Sequence, residues 1–329
     1  MALRGGVGEG RGSGVRTANG RCVELPAPAK VNVGLLVGPL RPDGFHEICS
    51  LFVPVTLADL VKVEPTPGRG VTVVCDVAPG EANLAAKAVR ALQRRVPGEF
   101  EVRVTIRKRI PEAAGLGGGS SDAATTLMAV ERLFDLDLPP RVRYEIASEV
   151  GADVPFFLWP GPQLVMGKGN VLKAVELPDP LHMVVAMPPE LRLSTADVYR
   201  WRDEDAQPTL EQFAARTQRF VAAVTQARTP GDLAPLMTND LEESVTRRFA
   251  AVAELKGLLV AAGARTAAMS GSGPSVVGLF DEEETARAAR AELLSSARAA
   301  RAVYVTDLQP KRDRPHRRTP SSRGGSAKP

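Results

Sequence analysis

The 329-residue chain is 44% apolar and 24% charged, an ordinary globular balance with room for two domains. It has no run of roughly 18 apolar residues, which excludes a transmembrane helix, and its three cysteines lack C-x-x-C spacing, which argues against a disulfide framework or a zinc site. The net charge of +4 is uneven: residues 1–21 hold +3 and residues 310–329 hold +6, so the body between them is at −5.

Both tails are rich in Gly, Ser, Pro and Arg, and have too few apolar groups to offset the entropy of ordering, so both are expected to be disordered. The basic C-terminal tail is either a solvated appendage or a weak nucleic-acid contact; no other nucleic-acid binding is expected. The N-terminal stretch lacks the apolar core of a secretory signal, and a cytoplasmic, non-membrane protein is expected. Monomer and homodimer both stay open.

In chain order, "AKVNVGLLVG" (29–38) and "VTVVCDV" (71–77) are short β-branched runs read as strands. Leu84, Ala85, Ala88, Leu92 and Val96 have helical spacing within 83–96. "FEVRVTIRKR" (100–109) alternates Val102, Val104 and Ile106 with charges, as a half-buried strand does. A helix over 120–136 puts Leu127, Val130 and Phe134 on one face, and a third helix ends at Gly151. Further helices are expected near 209–227, 244–262 and 283–298, with strands at 181–187, 265–269, 275–280 and 302–307. Strands and helices mix without regular alternation and no internal repeat is apparent, so the fold class is α+β with two domains, 22–165 and 166–309.

The stretch "PEAAGLGGGSSDAA" (Pro111–Ala124) packs four glycines into five residues ahead of a helix. Glycine weakens helix and strand alike, so its clustering calls for a reason. A strand, a glycine turn and a helix start make an anion site, because bare backbone lets N–H groups converge and the helix dipole adds positive potential. Ser120 and Ser121 fit the helix cap, and their hydroxyls can reach a phosphate or its metal. A flexible loop before a well-capped helix is the alternative. The Walker pattern is absent, and G-x-G-x-x-G fails because Ser120 takes the last position and no early βαβ unit surrounds the loop.

This loop resembles the phosphate loop of the superfamily of galactokinase, homoserine kinase, mevalonate kinase and phosphomevalonate kinase. Four further segments share the likeness: "APAKVN" (Ala27–Asn32), "RPDGFHEI" (Arg41–Ile48), "GADVPFF" (Gly151–Phe157) and "MSGSGPSVVGLF" (Met269–Phe280). Together they span roughly residues 22–308. "GLGGGSSDAA" matches the branch acting on cytidine diphosphate methylerythritol, in the non-mevalonate route to isoprenoid precursors, better than the shorter "GLGSSAA" type. The resemblance implies an N-terminal ATP-binding domain resembling the second domain of ribosomal protein S5, a C-terminal substrate domain, and an active site between them. A homoserine or mevalonate-type kinase, or a non-catalytic nucleotide-binding regulator, is the alternative.

The resemblance also implies roles. Asp153 would accept the acceptor-hydroxyl proton, with Lys30 as its electrostatic partner and Asn32 orienting the hydroxyl. On spacing alone, Lys30 reads as a solvated strand residue and Asp153 as a turn aspartate. Phe45 and Tyr199 would sandwich a cytosine while the His46 imidazole both donates and accepts at its edge; the alternative is a hairpin with Phe45 in the core. The family usually has Tyr at position 45, so Phe45 is a departure. ATP would lie on Pro111, Gly115, Leu116, Gly117, Gly118, Gly119, Ser120 and Ser121, with Asn83 and Lys108 at the adenine, although Asn83 also reads as a plain N-cap. Gly167, Gly169, Gly271 and Gly273 would either approach the substrate diphosphate or form tight turns. Mg2+ is expected with ATP, without firm protein ligands.

Overall fold

The computed structural model describes residues 22–77, 80, 82–96, 99–205, 208–295, 300 and 302–308; both basic tails lie outside this set. Two long strands open the chain, β1 (Val23–Leu40) and β2 (His46–Thr66), followed by β3 (Gly70–Cys75), α1 (Leu84–Gln93) and β4 (Glu101–Arg107). Next come α2 (Gly118–Leu133), α3 (Pro140–Val150), a single tight helical turn at Pro155–Leu158, β5 (Gln163–Gly167) and β6 (Val171–Ala174). The second half runs β7 (His182–Met187), α4 (Thr195–Asp205), α5 (Leu210–Gln226), the one-turn α6 (Pro230–Leu233) and α7 (Glu242–Thr246). It finishes with α8 (Ala250–Ala261), β8 (Thr266–Met269), β9 (Val276–Phe280), α9 (Glu283–Ser295) and β10 (Ala302–Thr306).

The first sheet has order β3-β4-β2-β5-β6, with β1 paired antiparallel to β2. β2 is its spine: residues 60–66 pair with β4 and residues 48–52 with β5. β3 and β4 are parallel, with α1 crossing between them, so a βαβ unit does precede the glycine loop. The second sheet, β10-β7-β9-β8, is antiparallel. One core packs α1–α3 against the first sheet, another wraps α8 and α9 around the second. Between them a third core joins Ala29, Val31 and Val33 of β1 to Met183 and Val185 of β7, so the two halves share apolar burial.

The fold is α+β, as expected from the mixed pattern. β2 was not legible, because its first half is buried on both faces and carries Pro54, so it has neither alternation nor ordinary strand composition. α4 was hidden by polarity, since it buries only Val198 and Arg202. The helix expected over 244–262 is two helices: Phe249 is extended (φ −137°, ψ 91°) and lays its ring 5.8 Å from Trp201. Residue 165 falls within β5, and the first sheet continues to Ala174.

Candidate active site

A cleft of about 520 Å³ is walled by β1, the glycine loop, the segment before the 155–158 turn, α4 and the glycine segment between β8 and β9. β1 supplies Lys30 and Asn32, which alternation places on one strand face; Lys30 Nζ donates to Asn32 Oδ1 at 2.7 Å. Asn32 donates to Ser50 Oγ at 2.9 Å, so its amide is built into the wall and holds Lys30 in place. The Lys30 backbone N–H donates to the Leu116 carbonyl at 2.9 Å, which ties β1 directly to the loop.

The loop turns through two left-handed glycines, Gly115 (φ 73°) and Gly117 (φ 70°). A Cβ on Gly115 would lie 2.1 Å from the Ser270 carbonyl oxygen, so the two glycine-rich segments meet across the cleft with no space for a side chain. α2 starts at Gly118 with Gly117 as its cap and no side-chain cap bond. The unpaired amides of that first turn therefore belong to residues lining the cleft, the arrangement that receives an anion. Asn239 secures the second segment by donating to the carbonyls of Met269 (2.7 Å) and Gly271 (2.8 Å).

Burial dominates the electrostatics. Lys30 is only 4% exposed, and burial holds its ammonium below the usual lysine range, partly countered by the negative charge of Asp153. Its Nζ also sits 4.5 Å from the centre of the Phe52 ring. Asp153 lines the same cleft, in a turn that runs on into the buried anchors Val154–Leu158. Lys108 is shared by two carboxylates, Asp59 at 2.5 Å and Asp122 at 2.8 Å. Burial, with Asp59 nearby, pushes Asp122 up to about 7 in spite of that lysine. Tyr199 is held above the ordinary phenol range by burial and then by Asp153.

Two family models match: "GHMP kinases N terminal domain" over residues 83–161 and "GHMP kinases C terminal" over residues 220–299. A protein of Anaeromyxobacter dehalogenans named 4-diphosphocytidyl-2-C-methyl-D-erythritol kinase is 42% identical over 289 residues, 84% of this chain and 86% of its own length. One of Geobacter sulfurreducens with the same name is 39% identical, over 86% of this chain and 98% of its own. This chain belongs to the GHMP kinase family. The crystal structure of a 4-(cytidine 5'-diphospho)-2C-methyl-D-erythritol kinase, 37% identical, superposes with a TM-score of 0.71 over 87% of this chain and 99% of its own. The homoserine kinase of Cytophaga hutchinsonii shares the fold at 20% identity, with a TM-score of 0.71 over 88% of this chain and 96% of its own.

The protein is thus an ATP-dependent small-molecule kinase, and its cleft gathers most of the residues singled out from sequence. Lys30, Asn32, Asn83, Lys108, Pro111, Gly115, Leu116, Gly117, Gly118, Gly119, Ser120, Asp153, Tyr199, Gly271 and Gly273 all line it. Asn83 caps α1 as well, accepting from the Ala85 N–H at 2.8 Å. Ser121 is not among the described lining residues: it lies inside α2, fully buried, and neither serine caps the helix because Gly117 takes that place. Gly167 and Gly169 are not among the lining residues; they take left-handed conformations (φ 67° and 97°) at the β5–β6 turn. Phe45 is 52% exposed and outside any core, and neither it nor His46 is among the residues lining the cleft. His46 reaches the cleft wall through Tyr199, at a ring-centre distance of 5.0 Å. Sequence reasoning missed Asp122, Thr195 and Ser272 in the lining; the aspartate of "GGGSSD" was the available signal, and nothing local marked the other two.

Proposed function

We propose that this kinase transfers the terminal phosphoryl group of ATP to the 2-hydroxyl of 4-diphosphocytidyl-2-C-methyl-D-erythritol, in the cytoplasm, as a step toward isoprenoid precursors. The observation carrying this is that a buried lysine and the Asp153 carboxylate share one cleft with two glycine-rich turns in mutual contact. The names of the relatives supply the acceptor. The exposed Phe45 ring, with His46 and Tyr199, suits a nucleobase beside the cleft.

Phosphoryl transfer leaves little covalent work to the protein, so positioning and charge carry the catalysis. Amides at the start of α2 and in the 115–119 loop hold the ATP phosphates. Asp153 accepts the proton of the substrate hydroxyl as its oxygen bonds to the terminal phosphorus. The bond from that phosphorus to the bridging oxygen breaks and ADP leaves with the electron pair. Lys30, aligned by Asn32, meets the charge spread over the moving phosphoryl group. Among the described residues no group of three or more His, Cys, Asp or Glu is placed to hold a metal ion. Ser120 would offer a hydroxyl to a Mg2+ ion bound with ATP, and that ion would neutralise phosphate charge. We further propose that residues 22–165 chiefly bind ATP and 166–309 chiefly the acceptor.

The test is conversion. The purified protein with Mg-ATP and 4-diphosphocytidyl-2-C-methyl-D-erythritol should yield ADP and the 2-phosphorylated product, and homoserine and mevalonate should be inert. Folded protein that ignores the cytidylyl compound while phosphorylating one of the others would overturn the assignment of acceptor.

A further inference from the structure

The sequence suggested an imidazole that both donates and accepts at a base edge. The structure removes one of those capacities. His46 Nε2 lies 2.9 Å from Asp203 Oδ1 and 3.0 Å from Oδ2, with the His46 side chain only 8% exposed. An ionised carboxylate only accepts, so the proton between them belongs to Nε2. When the imidazole is neutral, Nδ1 is then an acceptor, and no hydrogen bond to it is seen among the described residues. The carboxylate itself is fixed from behind. Arg202 Nη1 lies 3.3 Å from Asp203 Oδ1 and 3.2 Å from the Gly38 carbonyl, and Arg202 Nη2 donates to the Val37 carbonyl. The same helix, α4, also brings Tyr199 against the imidazole.

Resting on the functional reading above, we infer that Asp203 is a positioning residue that locks His46 as the Nε2–H tautomer and so selects an amino-bearing pyrimidine over its oxo counterpart. Cytosine presents an exocyclic N4 amine that can donate to Nδ1. Uracil presents a carbonyl oxygen there, which would face the Nδ1 lone pair with no proton between them. A site whose buried polar group is left unpaired by the wrong base discriminates far more strongly than one that differs only in shape. The other tautomer, with the proton on Nδ1, would reverse the preference.

The test compares the cytidylyl substrate with its uridylyl counterpart. Turnover of wild type, Asp203→Ala and Asp203→Asn is measured with each, alongside ¹⁵N NMR of the ligand-free protein to read the His46 tautomer. Wild type should show the Nε2–H form and favour the cytidylyl compound. Asp203→Ala should shift the tautomer toward a mixture and cut the kcat/KM ratio between the two compounds by roughly tenfold or more, mainly through KM. Asp203→Asn, whose amide oxygen can still accept from Nε2–H, should restore most of the ratio. Wild-type His46 carrying its proton on Nδ1, or an unchanged ratio in Asp203→Ala, overturns the inference alone. Wild type that turns over neither compound overturns the functional reading and this inference with it.

Discussion

Gly115→Ala tests whether the two glycine segments meet as closely as described. The substitution adds one methyl group at a left-handed position (φ 73°), where a non-glycine residue costs about 1–2 kcal/mol. That methyl would also lie 2.1 Å from the Ser270 carbonyl oxygen and 3.1 Å from the Gly273 nitrogen, both backbone atoms that cannot rotate aside. Relieving such overpacking costs about a further 1–3 kcal/mol, so a total loss of roughly 2–5 kcal/mol is expected, a large share of a typical domain's stability. The shift would part the loop from the segment facing it, so KM for ATP should rise as well. Urea denaturation with calorimetry measures the first effect, and steady-state kinetics the second. Gly119→Ala is the stability control, since its methyl would find only Leu84 Cδ1 at 3.7 Å and it lies within α2 without a left-handed φ. It should hold or raise stability by about 0.5–1 kcal/mol. A Gly115→Ala protein within about 0.5 kcal/mol of wild type, an ordinary surface-substitution effect, would refute the reasoning.

Lys30→Met keeps an unbranched apolar side chain and removes the buried ammonium that lies over Phe52, so thermal stability should be unchanged or higher while kcat falls by roughly 10² or more; melting curves and turnover check both. Asp153→Asn should retain ATP binding by calorimetry and lose roughly 10² or more in kcat, and near-normal turnover would remove Asp153 from proton transfer. Asp122 has a native pKa raised to about 7, so its favourable contribution is complete below about pH 4 and is lost as pH rises through 7. Wild type should therefore lose stability relative to Asp122→Asn between about pH 4 and pH 7, by up to a few kcal/mol in denaturant titrations at several pH values. A pH-independent difference would show that Lys108 compensates the charge fully.

Much of this protein was local enough to read directly. Glycines crowded before a helix announce an anion site because only bare backbone lets amides converge, and 3.6- and 2-residue periods mark α1, α2 and β4 from side-chain burial alone. "APAKVN" and "GADVPFF" marked Lys30 and Asp153 through their likeness to a family, whereas spacing alone read that lysine as solvated. Only the tertiary structure decided what distant segments do to one another. β2 hides its period because neighbours cover both faces of its first half, and Ser121 is kept from the cleft lining because α2 turns it into the core. Asp203, 157 residues from His46, lies within hydrogen-bond reach of its Nε2, a pairing that no sequence reading would supply. Hydrogen-bond partners and charge shifts depend on distances through space, and the order of residues along the chain does not contain them until the two sheets close on each other.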